Sequence, residues 1–240
     1  MFITTPDQQP AILAAFAYLH YLISSPMRTL LFVCSLLFGL TGYSQSYTFI
    51  FLNARSDKPE LPKEEVDKIM KGHMDNMGRL AKEGKLLAAG PIDGGGGIFI
   101  FNTASQEEAE RWLSTDPGVQ AQRWKVEILP YQPRTGSVCP VKEPYDMVTY
   151  TFIRFRSNIH KETVGDYPAL LRQHEKYLKQ LSMSGNVITE GTFGEQEGNI
   201  LVMRGEVEPE VIEADPAIKG GTMLFDIKKL WIAKGSFCEK

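Results

Sequence analysis

Cysteine is scarce in this sequence, and charge of neither sign is in marked excess. Its 240 residues include only three cysteines, and 26 basic against 29 acidic side chains leave a formal charge of −3. No run of lysine and arginine alternates with aromatic residues, so we expect no nucleic-acid partner. No CxxC pair and no cluster of histidine and cysteine is present, and the sequence therefore predicts no metal site.

The composition otherwise falls in the ordinary globular range. Hydrophobic residues make up 43% of the chain and charged residues 23%, which excludes intrinsic disorder and collagen-like repeats. A chain of this length and apolar content can bury a substantial core.

Two apolar runs, residues 11–23 and 30–40, lie near the start of the chain and are separated by a short polar stretch. From Met27 onward, one basic residue, an apolar run and then small residues have the layout of a secretory signal peptide. The second run is shorter than the roughly 20 residues that a membrane-spanning helix needs. We therefore predict a leader over residues 1–45 that contains a signal peptide; translation would start at Met27, and cleavage would occur near residues 44–46. The mature protein would be periplasmic or secreted and free of the membrane; without cleavage, the leader would anchor it there.

Removal of this leader leaves two cysteines, Cys139 and Cys238. In an oxidising compartment such a pair can form a disulfide. The spacing leaves a second possibility open, because two free and partly buried thiols would show the same pattern. A bridge requires Cα atoms within about 7 Å, which the sequence alone does not reveal.

The chain after the leader repeats itself with a period of about 100 residues. The segment Tyr-Thr-Phe-Ile occurs twice, and Asp-Pro occurs at Asp116 and again at Asp215. A period of this length is typical of a duplicated small domain and too long for a solenoid. We predict three segments after the leader: a first unit over residues 46–131, a proline-rich linker over 132–146 and a second unit over 147–235.

Each unit has the order strand, helix, strand, strand, helix, strand, which is the split ferredoxin-like arrangement of an α+β fold. In the first unit, an amphipathic helix lies between Pro62 and Glu83, and the glycines of residues 94–97 mark a hairpin turn. Both helices cover one face of such a sheet and leave the other face open. We predict that the two units pair within the chain through these open faces as a fused α/β barrel. The sequence also leaves open whether two copies of the chain form a homodimer.

Two histidines repeat at matching places. His73 and His174 each lie on the apolar face of the first helix of their unit. We expect Asp116 and Asp215 to end the second helices, where each carboxylate can approach the histidine of its unit. A carboxylate bonded to an imidazole fixes the tautomer and makes the ring a general base. The alternative is a buried structural histidine beside a helix stop at Asp-Pro, which needs no chemistry.

Several of these residues together resemble a known family. The run from His73 to Leu80, then Gly90-Pro91, Trp112 and Asp116-Pro117, is similar to the YCII-related (YciI-like) domain of the dimeric α/β-barrel superfamily. The resemblance covers the first unit closely. It implies a ferredoxin-like fold that pairs into barrels, with His73 and Asp116 as an active-site pair.

The second unit resembles the family less well. Thr192 follows Gly191 where the family has proline, and the second helix is shortened. His174 and Asp215 keep their places, so they form a possible second site in a diverged copy that completes the barrel and has either kept or lost its chemistry.

Four residues are weaker candidates for substrate binding. Gly90 and Pro91 end a strand, while Arg154 and Arg156 share one strand face and could clamp a carboxylate. A solvated strand end is the simpler explanation of the two arginines.

The His/Asp pair and the resemblance together predict acid/base chemistry of lyase or isomerase type on a small, cyclic, oxygenated compound. His73 would move the proton and Asp116 would orient the ring, with no metal or organic cofactor. Two other interpretations stay open. One is a non-catalytic envelope module that binds a small ligand or a protein; the other is a barrel that handles haem or a quinone. Family membership alone does not select a substrate.

Overall fold

A computed structural model describes residues 46–158, 167–194 and 198–239. The predicted leader lies outside these ranges. Within them, each unit contributes four strands and three helices, two of the three being short. The strands are β1 (Tyr47–Ala54), β2 (Leu86–Pro91), β3 (Gly96–Phe101), β4 (Trp124–Thr135), β5 (Met147–Ser157), β6 (Val187–Thr192), β7 (Asn199–Met203) and β8 (Met223–Ala233). The helices are α1 (Lys63–Lys82), α2 (Gln106–Leu113), α3 (Pro117–Gln120), α4 (Tyr167–Ser182), α5 (Pro209–Glu213) and α6 (Pro216–Lys219).

The strands form one antiparallel sheet in the order β2-β3-β1-β4-β6-β7-β5-β8. Each half of this order is the ferredoxin-like order, so the sheet is two such units joined between β4 and β6. The outer strands β2 and β8 also meet, through an antiparallel bridge between Ile92 and Leu230. The prediction of an α+β fold with two tandem ferredoxin-like units in a fused barrel is confirmed.

Alternation along the strands separates the interior of the barrel from the surface under the helices. The interior holds five rings whose centroids lie 4.8–6.3 Å from their neighbours: Phe49, Phe51, Tyr131, Phe152 and Phe193. Each is almost fully buried. Burial of one such ring stabilises the fold by about 2 kcal/mol, so these rings hold the two units together.

Each unit has a second core between its helices and the outer sheet face. In the first unit, Leu80 of α1 and Leu113 of α2 pack on Ile50 and Phe101. The apolar spacing on α1 produces this contact, and the helix ends where Gly84 adopts a φ of 69°. In the second unit, Leu178 of α4 packs on Ile153 in the same way.

The fourth strand extends further than the sequence indicates. The linker was expected to begin at residue 132, but β4 continues to Thr135, and Gln132 pairs with Thr192 of β6. Proline lacks an N–H donor and fits where a ladder is irregular. The register of the β4–β6 pair shifts between Pro133 and Thr135, so the strand accommodates this proline and connects the two units directly.

A disulfide joins Cys139, which follows β4, to Cys238 near the end of the chain, with their Cα atoms 5.1 Å apart. The carboxylate of Glu239 accepts hydrogen bonds from the backbone N–H of Phe237 and from the hydroxyl of Tyr150. These contacts hold the last described residues against the second unit. None of the described helices is long and apolar enough to cross a membrane.

Candidate functional site

Asp116 and Asp215 begin short helices; the expectation that they end the second helices was wrong. In the first unit α2 already ends at Leu113, and Oδ1 of Asp116 accepts hydrogen bonds from the N–H groups of Gly118 (2.8 Å) and Val119 (3.2 Å). The proline after each aspartate explains the difference, because its fixed φ and missing N–H suit the first position of a helix.

The second unit repeats this cap. Oδ1 of Asp215 accepts a hydrogen bond from the N–H of Ala217 at 2.8 Å, at the start of α6. Both aspartates are fully buried. One carboxylate oxygen is thus committed to the helix start in each unit, and the other is available to a second partner.

That partner is the histidine of the same unit. Nδ1 of His73 lies 2.8 Å from Oδ2 of Asp116, and Nδ1 of His174 lies 2.6 Å from Oδ2 of Asp215. Each bond ties the long first helix of a unit to the short helix that the aspartate caps. The approach of carboxylate to imidazole, expected from the repeated spacing, is present in both units.

The two histidines differ at Nε2. His73 donates from Nδ1 to the carboxylate, and its Nε2 makes no hydrogen bond with any described residue. In the second unit, Oδ1 of Asn199 lies 3.1 Å from Nε2 of His174. An amide oxygen and a carboxylate only accept, so in this orientation both ring nitrogens of His174 face hydrogen-bond acceptors.

The surroundings of His73 are aromatic and closely packed. The ring of Trp124 lies 4.8 Å from the imidazole and that of Phe99 lies 5.7 Å from it, between centroids. Only 8% of the side chain of His73 remains exposed. Trp124 also packs on Gly118, where an added Cβ would lie 2.4 Å from the indole ring.

A cleft of about 570 Å³ lies beside His174. Its lining includes Ser157, Asn199 and Met223, three residues on neighbouring strand ends that we call the floor. Nδ2 of Asn199 and Oγ of Ser157 are buried and have no hydrogen-bond partner among the described residues. A bound molecule could satisfy both atoms, since buried polar groups normally have partners.

Strand register identifies the matching positions in the first unit. Ser157 faces Met223 across β5 and β8, as Ala54 faces Trp124 across β1 and β4. Asn199 faces Phe155 as Gly97 faces Leu52. The first unit therefore has alanine, glycine and tryptophan where the second has serine, asparagine and methionine.

The walls of the cleft carry charge of both signs. Arg134 donates to Glu190 through Nε and Nη2 (2.5–3.1 Å) and to Glu175 through Nη1 (3.3 Å). Burial alone would lower the pKa of Arg134, but its bonds to the two carboxylates outweigh that effect and raise it. The guanidinium is thus already neutralised by two carboxylates.

Arg154 and Arg156, the predicted carboxylate clamp, form ion pairs instead. Arg154 donates to both oxygens of Glu127 (2.5 and 2.9 Å) and lies 3.9 Å over the ring of Phe51. Arg156 donates to Asp226 at 2.5 Å. Because side chains alternate along a strand, both arginines point to the opposite face of β5 from Ser157 and so away from the cleft floor.

Gly90 and Pro91 lie at the seam where β2 meets β8. A Cβ at Gly90 would lie 2.3 Å from the carbonyl oxygen of Trp231, so the close approach of the two strands requires glycine here. Pro91 is exposed. The seam accounts for Gly90 without any contact with a substrate.

Four cleft residues were missed from the sequence: Ser157, Asn199, Met223 and Arg134. Their identities carry no motif, and only the pairing of distant strands brings them to His174. An alignment of the two units by strand register shows that Asn199 occupies the position that Gly97 has in the first unit.

The described residues do not fit a haem. A haem needs an axial ligand, such as an imidazole nitrogen, and space beside it for the flat macrocycle. The ring of Trp124 packs against His73, Asn199 and Asp215 bond both nitrogens of His174, and aromatic side chains fill the barrel interior. In the described ranges, no three residues of the types His, Cys, Asp and Glu are grouped as a metal would require.

The fold and the site define a class: a duplicated ferredoxin-like α/β barrel with one buried His–Asp pair in each half. Residues 49–132 match the family model of the YCII-related domain. The matched residues cover the first unit. The match ends before the second unit begins. No curated protein matches the chain.

Solved structures with a similar strand arrangement include an arginine mutant of chlorite dismutase from Candidatus Nitrospira defluvii. It is 13% identical and has a TM-score of 0.46 over 78% of this chain and 92% of that one. A cyanide complex of a tryptophan mutant of the same enzyme is 11% identical, with a TM-score of 0.48 over 78% and 91%. A haem-binding protein from Thermus thermophilus is 10% identical, with a TM-score of 0.43 over 78% and 91%. These likenesses carry no argument about function.

Proposed function

We propose that this protein catalyses proton transfer, of lyase or isomerase type, on a small cyclic oxygenated compound bound in the second-unit cleft. His174 carries the proton and Asp215 holds the ring. The observation that supports this most is the His174–Asp215 bond at the edge of a 570 Å³ cleft. The pair His73–Asp116, which the sequence favours, is the second candidate, because it has the same bond but lies under Trp124.

Asp215 supports the proton transfer by position. Its Oδ1 is fixed by the start of α6, so Oδ2 holds the imidazole in one orientation with Nε2 toward Asn199. A substrate oxygen that approaches Nε2 beside the Asn199 side chain would receive the Nε2 proton. Nε2 then takes a proton from a neighbouring carbon, whose C–H electron pair forms the new double bond. Protons are thus exchanged without any net change in their number.

The test is exchange of carbon-bound hydrogen in D2O. Cyclic ketones, enones and lactones are incubated with the chain that begins at residue 46, and deuterium uptake is followed by NMR. We expect His174→Gln to lower the exchange rate at least about 100-fold, as loss of a general acid/base does. His73→Gln is the matched control and should leave the rate unchanged. A loss confined to His73→Gln would place the chemistry in the first unit instead.

A second candidate function is a non-catalytic module that binds a small ligand. The bond from Nε2 of His174 to Asn199 favours it, because both ring nitrogens are then engaged. Such a module would show stabilisation of about 2.7 kcal/mol at a ligand concentration 100 times its Kd, with no exchange of hydrogen. A thermal-shift screen with hydroxylated and carboxylated ring compounds checks this.

We also propose that the protein is exported through its leader. The Cys139–Cys238 disulfide supports an oxidising compartment. Expression of the full chain in a bacterium, followed by intact mass measurement of the periplasmic fraction, should give a product that begins near residue 45. An uncleaved cytoplasmic product in which Cys139 and Cys238 are free thiols would contradict the proposal.

A further inference from the structure

The floor of the cleft contains two hydrogen-bonding atoms that nothing in the described structure satisfies. Nδ2 of Asn199 belongs to a residue that is 3% exposed, and Oγ of Ser157 is itself buried although Ser157 is only partly buried. A buried donor without a partner lowers the stability of the folded protein. The two atoms therefore indicate a place where a ligand atom could form hydrogen bonds.

The hydrogen-bonding groups of Asn199 and Ser157 indicate that this ligand atom is a hydrogen-bond acceptor. The amide nitrogen only donates, and a serine hydroxyl can donate to the same atom. Oδ1 of Asn199 is committed to Nε2 of His174, which fixes the amide nitrogen toward the remaining space. The complementary group is therefore an oxygen with lone pairs, such as a carbonyl or a carboxylate.

The charges around the cleft favour a neutral carbonyl over a carboxylate. The guanidinium of Arg134 is shared between Glu190 and Glu175, and the ring of His174 faces the carboxylate of Asp215. A carboxylate would approach the carboxylate of Glu175, which lines the cleft, without an uncompensated cation among the charged residues described above. A neutral carbonyl accepts the same hydrogen bonds without this repulsion.

We propose that Asn199 and Ser157 form a subsite that binds the carbonyl oxygen of a neutral cyclic ketone or enone. The subsite rests on the proposed function, since it specifies the substrate of the same cleft. Met223 leaves the space open for the ring of such a compound, at the position that Trp124 fills in the first unit.

The test compares three probes of similar ring size: 2-cyclohexen-1-one, 2-cyclohexen-1-ol and benzoate. Their Kd values are measured by NMR titration of the isotope-labelled protein. We expect the enone to bind at least about tenfold more tightly than the other two. Tighter binding of benzoate, or no binding of the enone, would overturn the proposal.

Two variants identify the atoms involved. Ser157→Ala removes one donor without touching His174, and Asn199→Asp keeps an oxygen for His174 while removing the amide donor. Each should raise the Kd of the enone about tenfold, which corresponds to one lost hydrogen bond. Ala54→Ser, which places the same hydroxyl under Trp124 in the first unit, is the control and should change nothing. Unchanged affinity in both test variants overturns the subsite.

Hydrogen exchange separates this result from the proposed function. If the enone binds through Asn199 and Ser157 but exchanges no deuterium, the subsite stands and proton transfer fails. If exchange depends on His174 while neither floor variant changes binding, the proton transfer stands and the subsite fails.

Discussion

The two units of this protein share one arrangement, the His73–Asp116 pair and the His174–Asp215 pair, each of which we call a clasp. They differ in what surrounds it. In both, a buried aspartate caps a short helix with one oxygen and holds a histidine with the other. In the first unit tryptophan covers the imidazole, whereas in the second a cleft lies beside it. The His–Asp bond is therefore common to both units, and the difference lies in the side chains and the space around it.

The two units also differ in the size of the residue that packs beneath the ring of Trp124 or the side chain of Met223. Gly118 lies under Trp124, while the matching residues of the second unit are Ala217 and Met223. The unit with the large aromatic ring thus has the smaller residue beneath it. Size at one position depends on size at the other, because a packed interior leaves no spare volume.

The largest expected effect tests the shared clasp. Asp116→Ala and Asp215→Ala should each lower the free energy of unfolding by about 3 kcal/mol, because each removes a helix cap and leaves a buried imidazole donor unpaired. The measurement is urea denaturation. The asparagine variants keep the capping oxygen and lose only the acceptor for the imidazole, so they should lose less, about 2 kcal/mol. A small loss in one unit alone would mean that the clasp is not equivalent in both.

The next effect tests the size relation in the first unit. Gly118→Ala should cost about 2 kcal/mol, because the new methyl group would overlap the ring of Trp124. Adding Trp124→Met should recover part of this loss, so the double-mutant cycle gives a favourable coupling energy. Additive losses would show that the two positions are independent.

Conversion of the second unit into the first should remove ligand binding. The double variant Ala217→Gly/Met223→Trp places the ring where the cleft now opens, and we expect the Kd of 2-cyclohexen-1-one to rise at least about tenfold, or 1.4 kcal/mol. Thermal denaturation checks that the variant folds. Retained affinity in a folded variant would show that Met223 does not control access to the cleft.

The smallest effect concerns the opposite face of the sheet, where Arg154 occupies the register position that Phe51 has in the first unit. The hydrogen bond from Arg154 lowers the pKa of Glu127 below its ordinary value of 4.5. The stabilisation by this pair is therefore present above pH 4.5 and lost as the pH falls through the lower folded-state pKa.

The variant Glu127→Gln should accordingly be less stable than the parent at pH 7 and equally stable at the acid end, as measured by urea denaturation across pH. Asp226→Asn, which removes the exposed partner of Arg156, should change stability less, since exposed ion pairs contribute little. A stability difference for Glu127→Gln that persists unchanged into acid would contradict the ion-pair explanation.

Most of the fold could be predicted from periodicity and repetition. The spacing on α1 indicated both its limits and the apolar position of His73, and the repeated Asp-Pro indicated where a carboxylate would approach it. The role of Asp-Pro was misjudged, because proline fits both the end of one helix and the start of the next. The cleft was also missed: strand register brings Ser157 and Asn199 together from separate strands, and no local motif marks them.

The sequence by itself determined the duplication, the order of elements and the residues of both clasps, because apolar periodicity and capping chemistry act over a few neighbouring residues. Only the tertiary structure decided which histidine has a cleft beside it. That outcome depends on Trp124 and Gly118 in the first unit and on Met223 and Asn199 in the second. All four lie far in sequence from the histidine of their unit. Packing volume and hydrogen-bond satisfaction are properties of the assembled core, so residues far apart in sequence set them jointly.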